Sequence, residues 1–102
     1  MSNMEDREKA FENQFAHEAE LKFKAHARRN KLLGLWAAEK LGKKGEDATA
    51  YAKDLVILGL DSAGDEEVVA KLLADFRGAV PDSEIRNQME LLLPVAMKQL
   101  LG

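Results

Sequence analysis

A cluster of basic side chains between Leu21 and Lys31 offers the clearest binding chemistry in this chain. The stretch carries five Lys or Arg residues and no acid, whereas residues 32–102 carry eight Lys or Arg and twelve Asp or Glu. Arg28, Arg29 and Lys31 could hold the phosphates of a nucleotide or the carboxylates of an acidic protein partner. The alternative is that their aliphatic stems cover the edge of an intramolecular helix contact. A net charge of −3 and the lack of a nucleic-acid motif argue against DNA or RNA as the partner.

Residues that could perform catalysis or hold a metal are sparse. The chain has no cysteine and two histidines, and His17 and His26 do not have the spacing of a zinc-binding motif. Its serines and histidines form no recognisable nucleophile and base pair, and the glycines of "LGKKGED" lack the spacing of a phosphate-binding loop. The sequence therefore predicts a protein that is not an enzyme and that needs no metal or cofactor.

Three of the four phenylalanines fall in one polar stretch, "FENQFAHEAELKF". Phe11, Phe15, Ala19 and Phe23 follow a four-residue step, which drifts by about 40° per step on a straight helix. One flat surface cannot receive the whole strip, so we expect Phe23 to pack in the core and Phe11 and Phe15 to form a separate pair. For that pair, packing on the body of the protein and docking on another molecule both remain open. The predicted core partners of Phe23 are Leu21, Leu32 and Trp36.

The elements that must position these residues are all predicted to be helices, because apolar residues recur at three- and four-residue intervals. The first helix is expected from Glu5 to Leu41, weakened or interrupted at Gly34 and ended by Gly42. An unbroken helix of this length would extend about 55 Å. Since that exceeds any core of this size, part of the helix must project or bend back.

Three further helices complete the prediction. The second is expected from about Glu46 to Ser62, with Val56, Ile57 and Leu60 broadening its buried face. The third follows a cap at Gly64 and Asp65, and the fourth begins at Asp82 or Ser83. Proline inside a helix removes a hydrogen bond and clashes with the preceding turn, so Pro94 predicts a kink or a break in the fourth helix. The apolar stripe of the third helix comprises Val68, Val69, Leu72, Leu73 and Phe76.

The predicted fold is all-α: a four-helix bundle-like domain with a long first helix and a projecting or mobile N-terminal segment. A chain of 102 residues has room for one modest core. The first residues lack the apolar region of a signal peptide, and no apolar run approaches the roughly 20 residues of a membrane span. We therefore expect a soluble cytoplasmic protein, monomeric when free.

The stretch "DREKAFENQFAHEAELKFKAHARRNKLLGLWAAEKLG" resembles the zeta subunit of alphaproteobacterial F-type ATP synthases, a family of small helical inhibitors. The resemblance continues through "YAKDLVILGLDSAGDEEVVAKLLADF" and "SEIRNQMELL" and so covers nearly the whole chain, with "ARRNKLLGLWAAEKLG" its most specific block. It implies a regulatory subunit that blocks ATP hydrolysis by the catalytic head of the synthase, and a location at the inner membrane through that enzyme.

The resemblance also implies a division of the chain into an inhibitory segment, residues 1–19, and a helical bundle, residues 20–102. The segment would enter as a helix between the alpha and beta subunits at a catalytic interface, next to the gamma subunit. Phe11 and Phe15 would be its apolar anchors. Its charged contacts would be Glu5, Asp6, Arg7, Glu8 and Lys9. The alternative function is that of a small nucleotide-binding regulatory protein that uses the basic cluster.

Overall fold

Four helices make up the protein in a computed structural model that describes the backbone of residues 3–62 and 64–102 and the side chains of residues 18–62 and 64–102. No strand occurs within these ranges, and the all-α prediction is confirmed. The elements are α1 (Asn3–Lys40), α2 (Glu46–Asp61), α3 (Glu66–Phe76) and α4 (Asp82–Leu101).

The helices run alternately up and down. Gly34 of α1 lies against Ala52 of α2, and Asn30 lies against Gly59, so α1 and α2 are antiparallel. Each glycine permits this approach, because a Cβ atom on Gly34 would lie 2.6 Å from the Ala52 Cα atom. The helix α1 therefore continues through Gly34, where the sequence predicted a weak point, and the glycine serves the packing between helices.

The end of α3 and the start of α4 both lie near the C-terminal end of α1. The α3 helix ends near Trp36, whose ring meets that of Phe76 edge to face with centroids 5.8 Å apart. The start of α4 lies near the end of α1, where Lys40 Nζ is 3.7 Å from Glu84 Oε1. Both contacts place the turn between α3 and α4 at the C-terminal end of α1.

The core takes one fully buried large residue from each helix. Leu33, Leu55, Leu72 and Ile85 are each 0% exposed, and burying such side chains stabilises the fold by about 1.5–3 kcal/mol each. The α3 stripe predicted from the sequence is confirmed: four of its five members are buried, and Leu73 is half-buried.

The α1 helix ends as its glycine predicts. Gly42 adopts a φ of 78°, and the Lys43 N–H donates to the Ala38 carbonyl at 2.8 Å while the Gly42 N–H donates to the Glu39 carbonyl at 3.1 Å. This left-handed cap satisfies carbonyls that would otherwise lack a partner. The "LGKKGED" stretch is therefore a helix-to-helix turn.

Two predictions about packing are wrong. Phe23 is 60% exposed, because it lies beyond Ala25, the first buried residue of α1 among the described side chains. Ile57 and Leu60 are exposed as well, because α2 packs chiefly on α1 and leaves its outer side open. Of the kink or break predicted at Pro94, the break does not occur, since α4 continues from Asp82 to Leu101 with buried residues on both sides of the proline, Met89 and Ala96.

Asp65 occupies the predicted N-cap position of α3, but its side chain does not act as a cap. Asp65 precedes α3 but makes no capping hydrogen bond with its side chain, which contacts α1 instead. The predicted front segment, including Phe11 and Phe15, lies outside the residues whose side chains the structure describes.

Candidate functional site

The three basic residues that the sequence grouped together, Arg28, Arg29 and Lys31, occupy two different surroundings. Arg29 is 3% exposed, and its guanidinium donates to both carboxylate oxygens of Asp65, at 2.6 and 3.3 Å. It also donates to Asn30 Oδ1 at 3.0 and 3.2 Å. A guanidinium held by two planar acceptors is satisfied within the fold, so Arg29 fastens α1 to the turn that precedes α3.

The electrostatics of this contact follow from its hydrogen bonds. Hydrogen bonds from Arg29 hold the pKa of the Asp65 carboxyl below its ordinary value, against the opposing effect of partial burial. The carboxylate therefore stays charged through the neutral range. A second ion pair lies next to it along the chain, where Arg86 donates to Glu66 at 2.8 and 3.0 Å and so joins α4 to α3.

Arg28 and Lys31 face a different surface, a shallow channel between α1 and α2 that is closed at one end by Leu100 of α4. We call this channel the basic groove. Two depressions form it, of about 400 and 430 Å³, and both are lined by Lys31 and Val56. Its main lining residues are Phe23, Arg28, Lys31, Leu35, Lys53 and Val56.

The basic groove contains a buried polar atom without a partner. Arg28 Nε is shielded from solvent and has no hydrogen-bond acceptor within the described residues. Buried donors of this kind are uncommon in folded proteins. The atom belongs to a residue that lines the groove but is itself covered by protein atoms, so it offers no contact to a bound molecule in this conformation.

Sequence reasoning missed this surface because it assigned Phe23 and Val56 to buried faces and did not consider Lys53. One signal was available: the four-residue step of the phenylalanines continues through Ala27 and Lys31 to Leu35. A strip of that kind continues onto a surface that the bundle leaves open. The contribution of α2 required knowledge of which helix packs beside α1.

A separate depression, outside the basic groove, is lined by groups that pair with one another within the fold. The Tyr51 hydroxyl donates to Asp75 at 2.7 Å, and Lys71 Nζ lies 3.1 Å from the same carboxylate. Burial and this hydrogen bond raise the pKa of Tyr51 above its ordinary value. The ammonium groups of Lys43 and Lys71 lie 5.7 and 5.1 Å from the Tyr51 ring centroid. These groups satisfy one another and connect α2 to α3.

The remaining predicted contact residues belong to the front segment, and their side chains lie outside those that the structure describes. They are Glu5, Asp6, Arg7, Glu8, Lys9, Phe11 and Phe15. Within the described part of the chain, no group of three or more potential ligands is placed to hold a metal ion. No helix in that part is both long and apolar enough to cross a membrane.

Comparison with known proteins identifies related chains. A family model described as "ATPase inhibitor subunit zeta" matches residues 1–99. A protein of known structure, described as "Solution NMR structure of the protein", is 49% identical in sequence and has a TM-score of 0.74. The match covers 79% of this chain and 95% of that one. A search of curated proteins finds no match.

Proposed function

The chain belongs to the ATPase inhibitor subunit zeta family, and on that premise we propose that it inhibits an F-type ATP synthase by inserting residues 1–19 at a catalytic interface. Family membership makes the protein an inhibitor subunit with a regulatory role. In the proposed mechanism, residues 20–102 form the bundle that carries the inhibitory segment. The segment lies between the alpha and beta subunits of the catalytic head, beside the gamma subunit.

The observation that carries this proposal is where the core begins. Among the described side chains, every buried apolar residue lies between Ala25 and Ala96, whereas Glu18, Ala19 and Glu20 are exposed. The described residues of the segment, Glu18 and Ala19, contribute nothing to that core. This supports the proposed assignment of residues 1–19 to contact with another molecule.

The cost of ordering a segment favours a helix that forms before binding. Burying two phenylalanines gains about 3–6 kcal/mol, whereas fixing some fifteen flexible residues costs on the order of 15–30 kcal/mol. Phe11 and Phe15 alone cannot offset that cost. A helix that begins at Asn3 and continues into the bundle lowers it, because nucleation has already occurred in the folded part.

Inhibition follows from differential affinity for the states of the enzyme. A catalytic interface that opens and closes during turnover is arrested by a helix that binds one of its states far more tightly than the others. Phe11 and Phe15 supply the apolar contacts in this mechanism. The charged residues from Glu5 to Lys9 set the register of the segment.

Deletion of residues 1–19 tests the proposed division of labour. The truncated protein and the full chain are added to purified catalytic head of an F-type ATP synthase, and ATP hydrolysis is measured. We expect truncation to abolish inhibition while the helical circular dichroism and melting temperature of the bundle change little. Inhibition by the truncated protein, or loss of its fold, contradicts the proposal.

A double substitution refines the test within the full chain. Phe11→Ala with Phe15→Ala removes the proposed anchors and is expected to weaken inhibition at least tenfold, since each buried ring contributes more than about 1.4 kcal/mol. Ile57→Ala with Leu60→Ala is the matched control, because both residues are exposed apolar residues of the bundle. Equal loss of inhibition in the two double variants contradicts the anchor role.

The alternative function, nucleotide binding by Arg28, Arg29 and Lys31, gains no support from the geometry, because Arg29 is engaged with Asp65. It remains a prediction with a direct test. ATP or ADP is titrated into isotope-labelled protein while amide shifts are followed. The inhibitor mechanism requires no response to nucleotide, whereas saturable shifts centred on Arg28 and Lys31 support the alternative.

A further inference from the structure

The basic groove combines exposed apolar side chains with unpaired positive charges. Phe23 and Leu35 are 60% and 37% exposed, and Val56 lies between the two depressions that form the groove. An exposed apolar surface bordered by polar groups is typical of an interaction site. Its position in the bundle separates it from the front segment to which inhibition is assigned.

The charges of the groove have one sign. Lys24 pairs with Glu20 at 3.1 Å, but no carboxylate among the described side chains forms an ion pair with Arg28, Lys31 or Lys53. Residues 32–102 have a net charge of −4, from eight basic and twelve acidic residues. The groove is therefore a local positive strip on an acidic body, which attracts an acidic partner and repels a like surface.

We propose that the basic groove is a docking site for an amphipathic helix of a partner protein, apolar on one side and flanked by Asp or Glu. The groove follows α1 from Phe23 to Leu35, about 18 Å at 1.5 Å per residue, which suits some twelve residues of a helix. Apolar side chains of the partner would lie between Phe23 and Val56. Its carboxylates would pair with Lys31 and Lys53. This contact is independent of the role assigned to residues 1–19.

Other occupants fit less well. A second copy would bring two positive strips together at a symmetric interface. An anionic membrane attracts basic side chains, but the chain as a whole is acidic, with a net charge of −3. A helix of opposite charge matches both the shape and the sign of the surface.

Designed peptides of fourteen residues test the proposal. One carries Leu at helical spacing with Glu on both flanks, and a second has the same apolar positions with Lys on the flanks. Each is titrated into the isotope-labelled full-length protein. We expect saturable amide shifts at Ala27, Thr49 and Val56 with the Glu peptide, and binding at least tenfold weaker with the Lys peptide. Equal binding of the two peptides, or shifts elsewhere, overturns the proposal.

Charge reversal identifies the groove as the site. Lys31→Glu with Lys53→Glu is expected to weaken binding of the Glu peptide at least tenfold. Lys44→Glu with Lys98→Glu introduces the same charge change at exposed residues outside the groove and is expected to leave the affinity within about twofold of the parent value. Melting temperatures establish that both variants are folded. Equal effects of the two double variants overturn the assignment.

The competing occupants give distinct results. Concentration-dependent dimerisation abolished by Lys31→Glu with Lys53→Glu would assign the groove to a second copy. Tighter binding of the Glu peptide after deletion of residues 1–19 would assign it to the chain's own first segment. Binding to vesicles of phosphatidylserine and phosphatidylcholine that depends on Lys31 and Lys53 would assign it to a membrane. Each of these results overturns the proposal of a partner helix.

Discussion

Arg29 and Asp65 form a two-pronged ion pair that joins the middle of α1 to the turn between α2 and α3. The guanidinium is almost fully buried, whereas the Asp65 side chain is 46% exposed. This asymmetry matters, because removing either partner leaves the other in a different environment. Water can solvate an unpaired Asp65, but the Arg29 charge remains inside the protein with only Asn30 to accept its hydrogen bonds.

We therefore predict that Asp65→Ala destabilises the protein more than Arg29→Met does. Asp65→Ala leaves a buried charge with Asn30 as its one remaining acceptor, which costs about 3 kcal/mol. Arg29→Met removes the charge and keeps most of the apolar stem, but it leaves the buried Asn30 Oδ1 without these donors, which costs about 1–2 kcal/mol. Urea unfolding with an unchanged slope measures both values. Glu66→Ala, which removes an exposed pair, is the control and should cost less than about 1 kcal/mol. A larger loss for Arg29→Met than for Asp65→Ala would contradict this interpretation.

The same pair predicts a dependence of stability on acid. Hydrogen bonds from Arg29 lower the pKa of Asp65, so its contribution is complete above the unfolded value of about 3.9 and is lost as pH falls through the folded value. The free energy of unfolding of the parent should exceed that of Asp65→Asn by a constant amount above about pH 5. The difference should shrink below about pH 4. Urea unfolding at a series of pH values tests this, and a difference that stays constant throughout contradicts it.

We predict that the protein loses stability at high pH, because the buried Tyr51 hydroxyl must then ionise. Burial, and then the hydrogen bond to Asp75, raise its pKa, so the stabilisation is complete below the unfolded value of about 10 and is lost as pH rises above it. Tyr51 is the only tyrosine in the chain, so phenolate absorbance reports this residue alone. We expect its midpoint above about pH 10 in the folded protein and near that value in concentrated urea. Ionisation at the unfolded value with helicity retained would disprove the burial argument.

Gly34→Ala tests the close approach of α1 and α2. Alanine is better than glycine in a helix by about 1 kcal/mol, but a Cβ atom here would lie 2.6 Å from the backbone of Ala52. Such overpacking typically costs about 1–3 kcal/mol, so we expect a net destabilisation in thermal or urea unfolding. Gly64→Ala is the matched control, because a Cβ atom added there would meet nothing within 4 Å, and it should change stability by no more than about 0.5 kcal/mol. A stabilising Gly34→Ala would indicate that the helices separate at little cost.

The residue types of the candidate site could be predicted from the sequence, but their arrangement in space could not. The basic cluster was evident from sequence, yet Arg28 and Arg29 are neighbours in the chain and point to different surroundings. About 100° separates consecutive residues on a helix, so one faces the groove and the other faces the α2–α3 turn. Arg29 has an acidic partner because the fold brings Asp65, 36 positions further along the chain, to its side of α1.

The sequence by itself determined the helices, because their signals are local. Apolar spacing marked the buried stripe of α3, and Gly42 ended α1 through a left-handed turn that needs no distant partner. Tertiary structure alone decided which apolar residues are covered. Three side chains are as hydrophobic as core residues but are exposed: Phe23, Ile57 and Leu60. Burial depends on whether a neighbouring element packs over a side chain and not on the side chain's own hydrophobicity.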